Sequence, residues 1–152
     1  MTAKPALILI VFAHLFGVGL SQVQSANVIG SWTVEITFGN GESRSLRFEA
    51  RESGKGSFLL LDPRLKFWGP AKPSEAKWTQ GDENSVMFSG AVQFPLGNVG
   101  LDRGTLVLKG KFGTEGSIAG EATFFPLDQD PKDPKAKPSK SGSFKAIRVT
   151  GG

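Results

Sequence analysis

The stretch that decides the fold is residues 28–38, Val28-Ile29-Gly30-Ser31-Trp32-Thr33-Val34-Glu35-Ile36-Thr37-Phe38. From Trp32 onward, apolar side chains occupy the even positions and polar side chains occupy the odd positions. Because successive side chains of a strand point to opposite faces, this alternation predicts a half-buried β-strand. We interpret it as the first strand of a small β-barrel.

The rest of the chain repeats this pattern in short segments that are separated by Gly, Asn, Asp and Pro. Asn40-Gly41 is a strong hairpin signal directly after the first strand, and Gly90 indicates a bulge or bend within a later one. No segment has the periodicity of a long helix. Further strands are predicted over residues 45–51, 57–61, 76–80, 85–94, 105–112, 117–125 and 143–150. The pattern predicts an all-β fold, an eight-stranded up-and-down antiparallel barrel, and the alternative is a two-sheet β-sandwich.

The lengths of the connections predict two different barrel ends. In an up-and-down barrel, alternate connections lie at the same end. The long connections, residues 62–75, 95–102 and 126–141, follow the third, fifth and seventh strands and therefore share one end, which we expect to be open. The turns at the other end are tight, so that end is expected to be closed. Residues 126–141 are rich in Pro, Lys and Asp and are predicted to form a mobile loop.

The N-terminal segment has the features of a signal peptide. Lys4 is followed by an apolar run over residues 6–20 and then by small residues at Ser25 and Ala26. An uncleaved membrane anchor is the alternative. We therefore assign residues 1–26 to a signal peptide and residues 27–152 to a single barrel domain. The expected location is secreted or periplasmic, with no membrane span after cleavage.

The composition of the predicted mature chain excludes several chemistries. The chain has one histidine, His14, which lies in the predicted signal peptide, and it has no cysteine and no tyrosine. Ser-His and Cys-His nucleophilic sites and zinc or copper bound by imidazole or thiolate are therefore excluded. We expect no enzyme activity, no catalytic residues and no cofactor. Asp128, Asp130 and Asp133 are interrupted by lysines and lack the glycine of a calcium loop, so no metal site is expected.

The charge distribution argues against a nucleic-acid partner. The formal net charge is +4, but the basic residues are scattered along the chain. Nucleic-acid binding requires a basic face, usually interleaved with aromatic side chains, and no predicted strand has one. The sequence does not determine the oligomeric state.

One short motif carries a family resemblance. Gly30-Ser31-Trp32 resembles the Gly-x-Trp motif of the calycins, the superfamily of lipocalin and avidin-like barrels. In these proteins the tryptophan plugs the closed end, and in lipocalins an arginine from or near the last strand packs on it. The resemblance implies a lipocalin-like barrel in which Trp32 and Arg148 form a structural pair at the closed end.

The strand directions place Arg148 in the same position. Arg148 lies in phase with Phe144 and Ala146, and the last strand runs toward the closed end, where Trp32 begins the first strand. A guanidinium over an indole ring is worth about 0.5–2 kcal/mol. We therefore predict a cation–π contact between Arg148 and Trp32.

Two functions remain open from the sequence. The first is a secreted barrel that binds a small apolar ligand at its open end. The second is a filled, non-enzymatic barrel, with an interior occupied by Phe and Trp side chains, that acts as an envelope-associated or protein-interaction module. The candidate mouth residues are Leu65, Phe67, Trp68, Trp78, Leu96 and Leu127. The first four of these form either an apolar lid over the open mouth or a satellite cluster packed under a long loop.

Overall fold

The computed structural model describes residues 27–63, 69, 71–97 and 99–150. Within this part of the chain, eight antiparallel strands close into an up-and-down barrel, and β1 pairs with both β2 and β8. The predicted barrel is confirmed, and its closure excludes the two-sheet sandwich. The strands are β1 (Gly30–Phe38), β2 (Ser43–Ala50), β3 (Lys55–Leu60), β4 (Ser74–Gln80), β5 (Ser85–Leu96), β6 (Gly100–Phe112), β7 (Ile118–Pro126) and β8 (Lys140–Arg148).

Little helix accompanies the strands. A single 3₁₀ turn, Glu52–Gly54, joins β2 to β3 among the described residues. No helix in the described ranges is long and apolar enough to cross a membrane. The predicted signal peptide, residues 1–26, lies outside the described residues.

The alternation of β1 sets the inner face of the barrel. Trp32 pairs with Phe48 of β2 and with Arg148 of β8, and its indole is fully buried. In β3, Phe58 is buried and Leu60 packs against the core. The inward positions of all eight strands therefore converge on one apolar core. Its larger fully buried side chains are Trp32, Ile36, Phe38, Leu46, Phe48, Phe58, Phe88, Phe94, Leu106, Leu108, Ile118 and Phe124.

Two groups of phenylalanine rings occupy much of this interior. Paired aromatic rings in offset-stacked or edge-to-face arrangements contribute stabilisation beyond the area that they bury. In the first group, the Phe48 ring lies 4.2 Å from Phe88 and 5.4 Å from Phe58. The second group lies nearer the end of the barrel that carries the β1–β2, β3–β4, β5–β6 and β7–β8 connections, which we call the loop-bearing end. In this group, the Phe94 ring lies 5.3 Å from Phe124 and 6.2 Å from Phe38.

Inward-facing glycines make room for these rings. A Cβ atom at Gly104 would lie 2.6 Å from Cζ of Phe124, and one at Gly110 would lie 2.8 Å from Cζ of Phe144. Both distances are shorter than a normal carbon contact, so the rings take up the space that larger side chains would need. Inside the barrel, phenylalanine rings therefore pack directly against glycines of β6.

The bulge predicted at Gly90 is wrong. β5 stays in register with β6 from Ser85 to Leu96, and Gly90 pairs with Ala76 on one side and Leu106 on the other. A Cβ at Gly90 would lie 2.7 Å from the backbone oxygen of Glu75. The glycine therefore allows two strands to approach closely, and the strand is uninterrupted there.

The long connection predicted after the fifth strand is also wrong. β5 continues to Leu96 and β6 already begins at Gly100, so the residues assigned to a loop instead extend the hairpin. The turn is closed by the Val99 N–H, which donates to the Leu96 carbonyl at 3.2 Å. Two of the three expected long connections remain at the end of the barrel predicted to be open, and they are residues 61–73 and 127–139.

Asx-type turns shape the connection between β7 and β8. Oδ1 of Asp130 accepts the backbone N–H of Lys132, and Oδ1 of Asp133 accepts that of Lys135, both at 2.9 Å. These aspartates therefore stabilise the turns of the loop. The mobility predicted for this range stays a prediction.

Candidate functional site

At the closed end, Arg148 clamps the start of the barrel. Its Cζ lies 4.3 Å from the centroid of the Trp32 ring, so the predicted cation–π contact is present. Nη1 donates to the Ile29 carbonyl at 2.8 Å, and Nη2 donates to the Asn27 carbonyl. Nε1 of Trp32 donates to the carbonyl of the buried Val28 at 2.8 Å. These contacts join the end of β8 to the start of β1 and to the residues that precede it.

The same clamp explains the glycine of the Gly-x-Trp motif. Gly30 has a φ of +133°, a conformation that L side chains rarely adopt. A Cβ at this position would lie 2.7 Å from Nη1 of Arg148. Gly30 is therefore required both by its backbone conformation and by the space that the guanidinium occupies.

Trp78 lies at the closed end and does not contribute to the loop-bearing mouth. β4 runs from the loop-bearing end to the closed end, so Trp78 arrives beside the 3₁₀ turn. Its Nε1 donates to the carbonyls of Arg51 at 2.7 Å and Lys55 at 3.0 Å. The strand directions alone could have assigned it there, and its grouping with the mouth residues is wrong. Leu65, Phe67 and Trp68 lie outside the described residues.

Leu96 and Leu127 do lie at the loop-bearing end, and both are exposed. Leu127 is 71% accessible and Leu96 is 42% accessible, while Val99 between β5 and β6 is 91% accessible. Leu61, just after β3, is 41% accessible. We call these four side chains the apolar rim.

Between the apolar rim and the barrel core, charged side chains cover the second phenylalanine group. Arg44, Asp102 and Lys140 occupy inward positions near the loop-bearing ends of β2, β6 and β8, and Glu42 and Asp62 join them from adjacent connections. We call these five residues the charged layer. They alternate in sign along a continuous chain of ion pairs, in the order Asp62, Arg44, Glu42, Lys140 and Asp102.

The ion pairs of the charged layer are short and partly desolvated. Nζ of Lys140 lies 2.9 Å from Oε2 of Glu42 and 3.0 Å from Oδ2 of Asp102. Nη1 of Arg44 lies 3.0 Å from Oδ2 of Asp62, and Nη2 lies 3.4 Å from Glu42. Only 5% of the Arg44 side chain and 14% of the Lys140 side chain are accessible. The hydrogen bond from Lys140 holds the pKa of Glu42 below its ordinary value of 4.5.

The two cations also contact the aromatic rings below them. Cζ of Arg44 lies 5.1 Å from the Phe94 centroid, and Nζ of Lys140 lies 5.7 Å from Phe124 and 5.9 Å from Phe38. These separations are within the range of cation–π attraction. The charged layer therefore lies directly against the aromatic core at the end of the barrel that the sequence predicted to be open, and whether that end is open stays a prediction.

Sequence reasoning missed the charged layer because it ended strands where apolar alternation stopped. Arg44 lies two residues before Leu46, Asp102 lies two residues before Gly104, and Lys140 lies two residues before Gly142. Each is in the inward phase of its strand. Continuing the alternation one inward position beyond Leu46, and two beyond Leu106 and Phe144, would have placed all three inside the barrel.

The barrel wall has a gap on the side of β4. Pairing of β5 with β4 begins at Gly90, and no described residue pairs with the stretch from Ala91 to Leu96 on that side. Oγ of Ser74, the first residue of β4, donates to the Ala91 carbonyl at 2.7 Å. Higher up, Nη2 of Arg44 donates to the Pro95 carbonyl at 3.0 Å. Side-chain donors therefore satisfy two carbonyls along this edge of β5.

The gap opens into a side cleft of about 540 Å³ between β3 and β5. Its apolar wall includes Leu60, Val92 and Leu101, and its polar lining includes Lys72, Ser74 and Gln93. This volume is in the range of small-molecule sites.

The comparisons with known proteins do not identify the chain. No family model, no curated protein and no solved structure matches it. The resemblance to the calycins therefore rests on Gly30-Ser31-Trp32 and on the position of Arg148. Among the described residues, no group of three or more His, Cys, Asp or Glu side chains is arranged to hold a metal ion.

Proposed function

We propose that the protein is a filled, non-enzymatic barrel that acts as an interaction module through its loop-bearing end. The observation that carries this proposal is the occupancy of the interior by the chain's own aromatic side chains. Phe48, Phe88, Phe94 and Phe124 each have no accessible surface. An eight-stranded barrel is just wide enough for side chains to fill it, so a guest on the axis would have to displace this packing.

The charged layer argues against entry of an apolar ligand along the axis. Such a ligand would pass Arg44 and Lys140 and leave partly buried charges without partners. Breaking a buried ion pair on one side costs about 3–5 kcal/mol. The energetic cost of entry favours the module over the carrier of an apolar ligand in its interior.

The apolar rim is the surface that we propose for the interaction. The β5–β6 hairpin extends beyond its neighbours, because pairing of β6 with β7 begins at Gly104 and pairing of β5 with β4 begins at Gly90. It presents Leu96 and Val99 near its tip. Exposed apolar side chains grouped at one end of a barrel are typical of contact surfaces, whereas single ones are common on any protein.

Matched surface variants test the proposed surface. The loop-end variant carries Leu96→Ser, Val99→Ser and Leu127→Ser. The control carries Ile29→Ser and Ile147→Ser, which remove exposed apolar side chains near the closed end. We expect biotinylated wild type and control to retain the same partner from an extract of the producing organism, and the loop-end variant to lose it. Equal retention by both variants, or no retained partner, would contradict the proposal.

Native mass spectrometry tests the filled interior separately. We expect the mass of the polypeptide alone, both before and after organic extraction. A co-purifying apolar molecule whose removal shifts the NMR signals of Phe38 and Phe144 would show that the barrel carries a guest in its interior. That result would restore the small apolar ligand as the function.

A further inference from the structure

The side cleft has a composition that differs from the rest of the loop-bearing end. Its apolar wall continues the barrel core, since Val92 is a buried core residue and Leu60 packs against the core. Lys72 lies in the connection just before β4 and is exposed to solvent. No carboxylate is among the described residues that line the cleft.

We propose that the side cleft is a binding site for a small amphipathic anion, a molecule with an apolar body and one carboxylate or sulfonate group. The apolar body would lie against Leu60, Pro73 and Leu101, which are accessible apolar side chains of the cleft. The anionic group would lie at the ammonium of Lys72, with the Gln93 amide as a further donor. Small-molecule sites typically combine such an apolar wall with a few polar groups that fix orientation.

The cleft is available because β4 is short. β4 begins only at Ser74, so among the described residues no strand pairs with β5 from Ala91 onward on the side of β3. Ser74 and Arg44 satisfy the carbonyls of Ala91 and Pro95 at the two ends of the gap. Hydrogen bonds therefore hold the two ends of the cleft in place. A ligand can enter the cleft without any opening of the barrel interior.

The probe for this site is 1-anilinonaphthalene-8-sulfonate, whose fluorescence rises on transfer to an apolar environment. We expect saturable binding of one molecule per chain at pH 7 and displacement by decanoate. Lys72→Glu should weaken binding at least five-fold, because it places a negative charge beside the sulfonate. The matched control is Lys132→Glu, an exposed lysine of the β7–β8 connection, which should bind like wild type.

NMR separates this site from other apolar surfaces. The amide signals of Ser74, Val92 and Gln93 should shift on titration, while those of Leu127 and Val99 should not. Absence of saturable binding, equal weakening by Lys72→Glu and Lys132→Glu, or shifts confined to the apolar rim would each overturn the proposal. Circular dichroism of both lysine variants confirms that the barrel is intact.

This inference stands apart from the proposed interaction module. Loss of the partner in the loop-end variant would leave probe binding to the cleft unchanged. Conversely, failure of the probe to bind would not change the partner retention that we expect for wild type and for the surface variants. A co-purifying molecule that the probe displaces, with displacement weakened by Lys72→Glu, would support the cleft while the interior remains filled.

Discussion

Replacement of Arg44 by methionine tests whether the charged layer stabilises the barrel. Arg44 connects β2 to two other parts of the wall, through Asp62 after β3 and the Pro95 carbonyl of β5. Its side chain is 5% accessible, so solvent screens these contacts weakly. Methionine keeps much of the packing against Phe94 but none of the hydrogen bonds.

The magnitude follows from the groups that lose a donor. A hydrogen bond that involves a charged group contributes about 1.5–3 kcal/mol, and Arg44 makes two at 3.0 Å. Removal of a buried guanidinium that has an unpartnered Nε recovers part of its desolvation cost. We therefore expect Arg44→Met to lower the free energy of unfolding by about 3 kcal/mol, which corresponds to a decrease in Tm on the order of 10 °C.

Urea unfolding at pH 7, followed by tryptophan fluorescence and by circular dichroism, measures this loss. Arg47→Met is the matched control, because Arg47 lies on the same strand in the opposite phase, is half-buried and, like Arg44, has a buried Nε without a hydrogen-bond partner among the described residues. The control should lose no more than about 1 kcal/mol, because Arg47 belongs neither to the charged layer nor to the apolar core. A loss below 1 kcal/mol for Arg44→Met, or equal losses for the two variants, would refute the assigned role of the charged layer.

Three further predictions concern the interior, the acid response and the closed end. Gly104→Ala should lower the free energy of unfolding by about 1–3 kcal/mol through overpacking. Its control is Gly100→Ala, where a Cβ meets nothing within 4 Å and which should be nearly neutral in the same urea experiment. Equal free energies of unfolding for the two variants would indicate free space inside the barrel at Gly104. Because its folded-state pKa is lowered, Glu42 contributes stability above its ordinary pKa of 4.5 that is lost as the pH falls through the folded value. The stability difference between wild type and Glu42→Gln should therefore be constant from pH 7 to 5 and shrink below pH 4.5, and a constant difference down to pH 3 would contradict the assignment. Arg148→Met should cost about 1–2 kcal/mol and alter the emission spectrum of the buried Trp32, and an unchanged spectrum would count against the clamp.

The strands could be predicted because their inward positions are apolar over most of their length. The alternation from Trp32 to Phe38 is uninterrupted, and equivalent alternation marks the other strands. Strand parity then placed Arg148 beside Trp32 without any tertiary information, because an up-and-down order fixes the direction of every strand.

The candidate sites were harder to predict because they depend on where strands end. Polar residues at inward positions, such as Arg44 and Lys140, have the sequence pattern of a loop unless their partners are known. Gly90 gave the signal of a bulge, although a glycine that allows close approach of two strands has the same local sequence. The side cleft arises from the difference in length between β4 and its neighbours, which alternation does not reveal.

The pairing of Trp32 with Arg148 places the start of β1 and the end of β8 side by side, and this determines how the protein is oriented when it is attached to a surface. β1 starts and β8 finishes at the closed end. A bead, a sensor surface or a fused domain that is joined before β1 or after β8 is therefore attached at the closed end. The apolar rim then faces the medium in every such arrangement. Immobilisation through a terminal tag is therefore compatible with the retention and titration experiments, whereas coupling through lysines near the rim would obstruct the surface under test.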